Sequence, residues 1–180
     1  MGTNFTDIAS DASKVAATFN NPLDELDEAI EVLKTNVAVF SVPVALPDTA
    51  HGNHYGDELA GGQSTYIGSF VVPDLFSAIG NAWIILIPTT TGTIDWTCTV
   101  SAGAPGEDEN ANSDSATADD AAVTDDELEP IDVAGAFNGL TLAAGDIVGV
   151  KFTIDALADT TAVLVLGLVF EYSPSSEAPA

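Results

Sequence analysis

The residues of this chain that invite chemistry are oxygen and nitrogen ligands. Residues 103–130 read GAPGEDENANSDSATADDAAVTDDELEP, and in it Asp108, Asn110, Asn112, Asp114 and Asp119 fall at positions 1, 3, 5, 7 and 12 of a calcium-loop pattern. Ser113 stands where that loop uses glycine for its sharp turn, and Asp119 stands where it uses a bidentate Glu. The pattern therefore offers a cation site, for calcium or for condensed monovalent ions, and no cofactor is required. His51 and His54 sit beside Asp57 and Glu58 in one stretch. Zinc needs three or four convergent ligands, and no second cluster completes a recognised spacing. Carboxylate pairs carry no signal for glycoside hydrolysis, because 28 acidic residues place some pair at the needed separation by number alone. There is no G-x-S-x-G, no phosphate-binding loop and no dinucleotide fingerprint. The single Cys98 excludes an internal disulfide and reads as a small buried hydrophobe. No enzyme is expected.

The elements that would position these residues show two periods. Phe5, Ile8, Ala12, Val15 and Phe19 recur at helical spacing, and Leu23, Leu26, Ile30 and Leu33 repeat it after Asn20-Asn21-Pro22. Asn21 can cap the second helix, Pro22 suits its first position, and Asp24, Glu25, Asp27 and Glu28 face its positive end. A stripe this narrow fits a seam between helices, so Leu23, Leu26, Ile30 and Leu33 are the expected oligomer interface of an α-helical arm, residues 1–36. From residue 37 the period becomes two. Residues 37–45 and 65–72 read as strands, 46–64 as a long polar loop, and 75–80 as a short helix or turn. Ala82-Trp83-Ile84-Ile85-Leu86-Ile87 is apolar on both faces and predicts a central strand.

After Pro88-Thr89-Thr90-Thr91-Gly92, Ile94, Trp96, Cys98 and Val100 alternate with Thr93, Asp95, Thr97, Thr99 and Ser101. The two runs together predict a hairpin at the centre of the sheet. Residues 103–130 read as an acidic surface loop or arm, and 131–142 as a strand and a turn of helix. Val148, Val150, Phe152 and Ile154 point inward along 146–155, while Gly149, Lys151 and Thr153 point outward. Residues 162–172 form a last strand apolar on both faces, and 173–180 a frayed tail. With about six or seven strands, the fold class is mainly β: an antiparallel sandwich, jelly-roll-like, over 37–172 with an N-terminal helical arm.

Charge narrows the setting. There are 28 Asp and Glu against three Lys and no Arg, for a net charge of −25. Phosphate binding needs clustered Lys and Arg, so nucleic acid is excluded as a partner, and anionic membrane surfaces with it. Self-repulsion of this size is screened in molar salt, where the Debye length falls to about 3 Å. Residues 1–7 carry neither a basic region nor an apolar core, so no secretory signal is expected, and 161–172 is too short to span a bilayer.

Several fragments then suggest a family: Tyr66-Ile67-Gly68-Ser69-Phe70, Gly92-Thr93-Ile94-Asp95-Trp96, Pro105-Gly106-Glu107, Leu140 to Asp146 (LTLAAGD), Gly149-Val150-Lys151-Phe152 and Gly167-Leu168-Val169-Phe170-Glu171-Tyr172. Over about 100 residues the pattern resembles the β-sandwich bodies of haloarchaeal virus structural proteins, of capsid, turret or fibre-head type. The resemblance implies a virion-surface protein in a hypersaline setting, made in the host cytoplasm. Its partners would be itself, as a trimer, and other virion proteins, with a host surface glycan or glycoprotein as a further contact. The rival reading is a receptor-contacting fibre head or a carbohydrate-binding sandwich of a halophilic cell-surface protein.

Overall fold

The computed structural model describes residues 37–175. The expected helical arm, its stripe Leu23, Leu26, Ile30 and Leu33, and most of the expected tail lie outside the described residues. Ten strands follow in order: β1 (Ala38–Pro43), β2 (Thr49–His51), β3 (His54–Leu59), β4 (Gln63–Val71), β5 (Phe76–Pro88), β6 (Gly92–Gly103), β7 (Asn112–Val123), β8 (Glu129–Asp132), β9 (Ile147–Ala158) and β10 (Val163–Pro174). All pairings are antiparallel. One sheet has six strands in the order β2-β3-β10-β5-β8, with β1 also on β10, and the other has four in the order β4-β9-β6-β7.

Strands β1 and β3 share one edge of β10: β3 pairs Val163 to Val165, and β1 pairs Gly167 to Tyr172. Taken as one interrupted first strand, they give the order first-eighth-third-sixth facing second-seventh-fourth-fifth. That is a jelly roll, two sheets wound as Greek keys.

Alternation builds the core between the layers. Val148, Val150, Phe152 and Ile154 of β9 and Ile94, Trp96, Cys98, Val100 and Ala102 of β6 are buried. They face Ala82, Ile84 and Leu86 of β5 and Val163, Val165, Leu168 and Phe170 of β10. Phe170 lies 5.3 to 5.4 Å, centroid to centroid, from Phe40, Phe70 and Phe137, joining β1, β4 and the 3-10 turn at Ala134–Phe137.

Several expectations are corrected here. The runs 82–87 and 93–101 are both central strands, but they do not form a hairpin. β5 pairs with β10 and β8, and β6 pairs with β9 and β7, so residues 88–92 turn the chain from one sheet to the other. Residues 46–64 are not a loop: they hold β2 and β3, joined through Gly52-Asn53, with Gly52 at φ 59°. Gly56 belongs in β3 because a Cβ there would stand 2.4 Å from the Val165 carbonyl oxygen of β10. Residues 75–80 are not helical; β5 already begins at Phe76. Within 103–130 the arm is the twelve-residue edge strand β7. Its inward Ala116, Ala118 and Ala121 are too small to give the usual apolar signal of a strand.

Candidate functional site

The candidate cation ligands are spread along the chain rather than gathered. Asp108 and Asn110 lie in the turn before β7, while Asn112, Asp114 and Asp119 lie on it. At about 3.3 Å per residue, Asn112 and Asp119 stand roughly 23 Å apart. Two of these side chains have structural work instead. The Asn112 amide donates to the Thr141 carbonyl at 2.8 Å, and the Gly139 N–H donates to Asp114 Oδ2 at 2.8 Å. Strand β8 is only four residues long, so segment 134–142 covers the inner side of β7 where no strand opposes it. A Cβ on Gly139 would lie 2.4 Å from Asp114 Oδ2, so a side chain there would push this carboxylate aside. Asp119 belongs to a bulge, in which Asp120 takes φ 53° and its N–H donates to Asp95 Oδ1. Among the described residues no three His, Cys, Asp or Glu side chains stand close enough to share a metal ion.

His51 and His54 face each other across their turn. A carboxylate only accepts, so His51 Nε2 donates to Asp126 Oδ1, at 2.8 Å. Both side chains are exposed, 41% and 68%, and the pair contributes about 0–1 kcal/mol. Burial pushes the Cys98 thiol up to about 12, so a nucleophilic role would have almost no thiolate to draw on near neutral pH.

The two outer sheet faces differ in chemistry. On the six-stranded sheet, Trp83, Ile85 and Ile87 of β5 point away from the core, as do Leu164 and Val169 of β10. Ile87 and Leu164 are register partners and nearly inaccessible, 2% and 1%, whereas Trp83, Ile85 and Val169 are partly exposed. Around this apolar centre stand exposed Val39, Ser41 and Pro43 of β1, Pro130 and Asp132 of β8, and the hydrogen-bonded pair Asn81–Glu171. No helix among the described residues is long and apolar enough to cross a membrane.

The four-stranded sheet presents hydroxyls. One row across it reads Ser64, Thr153, Thr97, Thr117, and the next Tyr66, Lys151, Thr99, Ser115. Ser64 and Thr153 are hydrogen-bonded at 2.9 Å, and Thr97 donates to Asp155 Oδ2 at 2.6 Å. A groove of about 670 Å³ crosses this face. Its floor is Gly149, Lys151, Thr99 and Ser101, with Tyr66 on one side and the turn carrying Glu107 on the other. Lys151 is the one Lys or Arg among the described residues, and the one ion pair there is His51–Asp126, so Lys151 has no such partner.

The sequence alone marks the outward residues of both faces but does not mark either face as a site. The available signals were the two runs apolar on both sides and the glycine inside β9.

No family model matches the chain, and no curated protein matches it. Among solved structures, the D431N mutant VP2 protein of infectious bursal disease virus, in T=1 particles, is similar at 13% identity and TM-score 0.44, over 81% of this chain and 34% of that one. The infectious bursal disease virus Gx strain structure is similar at 12% and 0.41, over 78% and 33%. The module TmCBM61, in complex with β-1,4-galactotriose, is similar at 10% and 0.35, over 78% and 90%. The chain thus spans about a third of the viral chains it matches. At TM-scores below 0.5 the jelly-roll assignment rests on the strand order, not on these likenesses.

Proposed function

We propose that this chain is a non-enzymatic structural subunit of the virion surface of a halophilic archaeal virus. It associates with copies of itself, as a trimer, through the outer face of the six-stranded sheet. The observation that carries the reading is that face: an apolar centre at Trp83, Ile85 and Val169 inside a mostly polar rim. Protein interfaces have this anatomy, with a charge-poor aromatic centre and an accessible polar edge. Burying a side chain of this size contributes about 1.5–3 kcal/mol. Against that stands the repulsion of copies at −25 each, which molar salt screens. Assembly and salt are therefore linked, and calcium or monovalent cations act by screening rather than at a required site.

Light scattering in molar KCl tests it. The wild type should give a defined oligomer, and the double variant Trp83→Ser, Val169→Ser should give folded monomers with unchanged far-ultraviolet dichroism. A wild type that stays monomeric at every concentration overturns the reading, as does a folded double variant with the oligomer intact.

A further inference from the structure

We propose that the groove on the outer face of the four-stranded sheet is a binding site for a neutral saccharide of about two or three rings. The inference concerns the sheet opposite the assembly face and does not rest on the assembly reading.

The floor carries the first observation. Gly149 lies inside β9, between outward-facing Ile147 and Lys151, and a Cβ built on it meets nothing within 4 Å. At Gly56 a Cβ would collide with the Val165 carbonyl oxygen at 2.4 Å and at Gly92 with the Ala158 carbonyl oxygen at 2.2 Å, so the packing of this chain requires those two glycines. It does not require Gly149. Glycine inside a strand costs about 0.5–1 kcal/mol relative to alanine. Such a glycine commonly marks the close approach of a ligand or another backbone. Gly149 lines the groove, so the open space above it belongs to the groove.

The lining selects the ligand. Lys151 brings ammonium donors with no carboxylate claiming them, Thr99 and Ser101 bring hydroxyls that both give and accept, and Glu107 brings acceptors. Asp108 and Glu109 continue the same wall. An anion entering here would meet three carboxylates for one ammonium, and a cation would meet Lys151 on the floor. A neutral polyhydroxyl ligand pairs with both kinds of group. Tyr66, 62% exposed on the rim, offers a ring face to stack on the C–H side of a sugar. The wall is held in shape beforehand: Glu107 N–H donates to the Ala104 carbonyl, Glu107 Oε2 accepts from Ala104 N–H, and Ala111 N–H donates to the Asp108 carbonyl. Little ordering is then left to oppose binding. The volume, about 670 Å³, lies within the span of small-ligand sites.

The test uses the full chain in molar KCl against an array of neutral oligosaccharides, with sialylated and uronate oligosaccharides and an oligo-aspartate peptide beside them. The best neutral trisaccharide should then be titrated by calorimetry. Gly149→Leu, whose Cβ meets nothing within 4 Å, puts a side chain into the groove and should weaken binding by more than about tenfold, with melting temperature and oligomeric mass unchanged. Tyr66→Ala, an exposed position, should weaken it by a smaller factor and covers the case of a Gly149→Leu chain that fails to fold. The proposal is overturned if no neutral saccharide binds, if the anionic probes bind more tightly, or if both variants bind like the wild type. A change of oligomeric mass in Gly149→Leu also overturns it, since the groove would then be a contact between copies.

Discussion

Both sheets cover the same core, yet their outer faces are built from opposite materials. The six-stranded sheet shows Trp83, Ile85 and Val169 at its centre, and the four-stranded sheet shows Thr97, Thr99, Lys151 and Thr153. The difference is decided strand by strand. β5 and β10 are apolar at successive positions, whereas β6 and β9 alternate. An antiparallel sheet leaves its second face free to be wet, and β6 and β9 use that freedom. β5 and β10 do not, and the proposed assembly would cover the partly exposed apolar centre that results.

The largest effect expected is on the whole comparison at once. Moving the protein from molar to about 10 mM salt lengthens the Debye length from about 3 to about 30 Å, so the acids on both faces and on β7 repel across the molecule. The melting temperature should fall by more than about 10 °C, read by dichroism, and assembly should be lost first. An unchanged melting temperature would remove the halophile reading. Next come the tryptophans, one per sheet and on opposite sides of it. Trp96 points inward and stacks on Phe152 at 5.9 Å. Trp96→Ala should cost about 3–5 kcal/mol in denaturant unfolding. Trp83→Ala should cost much less in the monomer and act on oligomeric mass. Equal losses at the two sites would mean that the outer face of β5 is ordinary core. Smaller still is the clamp beside β7. Asp114→Ala leaves the exposed Gly139 N–H to water and should cost about 0.5–1.5 kcal/mol. Segment 138–142 should then show faster amide exchange, while the outer faces keep their properties.

What the sequence made legible was local. The inward sets Val148, Val150, Phe152, Ile154 and Ile94, Trp96, Cys98, Val100 follow from a two-residue period and one buried side. Pairing was not legible, because the partners of β6 lie on β7 and β9 and the turn residues at 88–92 serve a corner as well as a hairpin. Gly56 looked like a loop residue because its reason, the Val165 carbonyl oxygen, is over a hundred positions away in the chain. Asp114 carried a plausible ligand spacing, but its actual partner is the Gly139 N–H, 25 residues on. Both outer faces were visible as residue types, and only the topology turned those types into surfaces.

Strand β10 follows every other described strand in sequence, yet it holds the middle of its sheet between β5 on one side and β1 and β3 on the other. On the ribosome, β5 is therefore made long before the neighbour that covers most of it, and it waits with both flanks apolar. Closing such distant pairs is slow, and the waiting chain is open to the wrong neighbour. Net negative charge opposes contact between such waiting copies only where salt does not screen it, since in molar salt its reach falls to about 3 Å. The covering of β5, and with it the closing of the six-stranded sheet, is therefore left to the latest of the described strands.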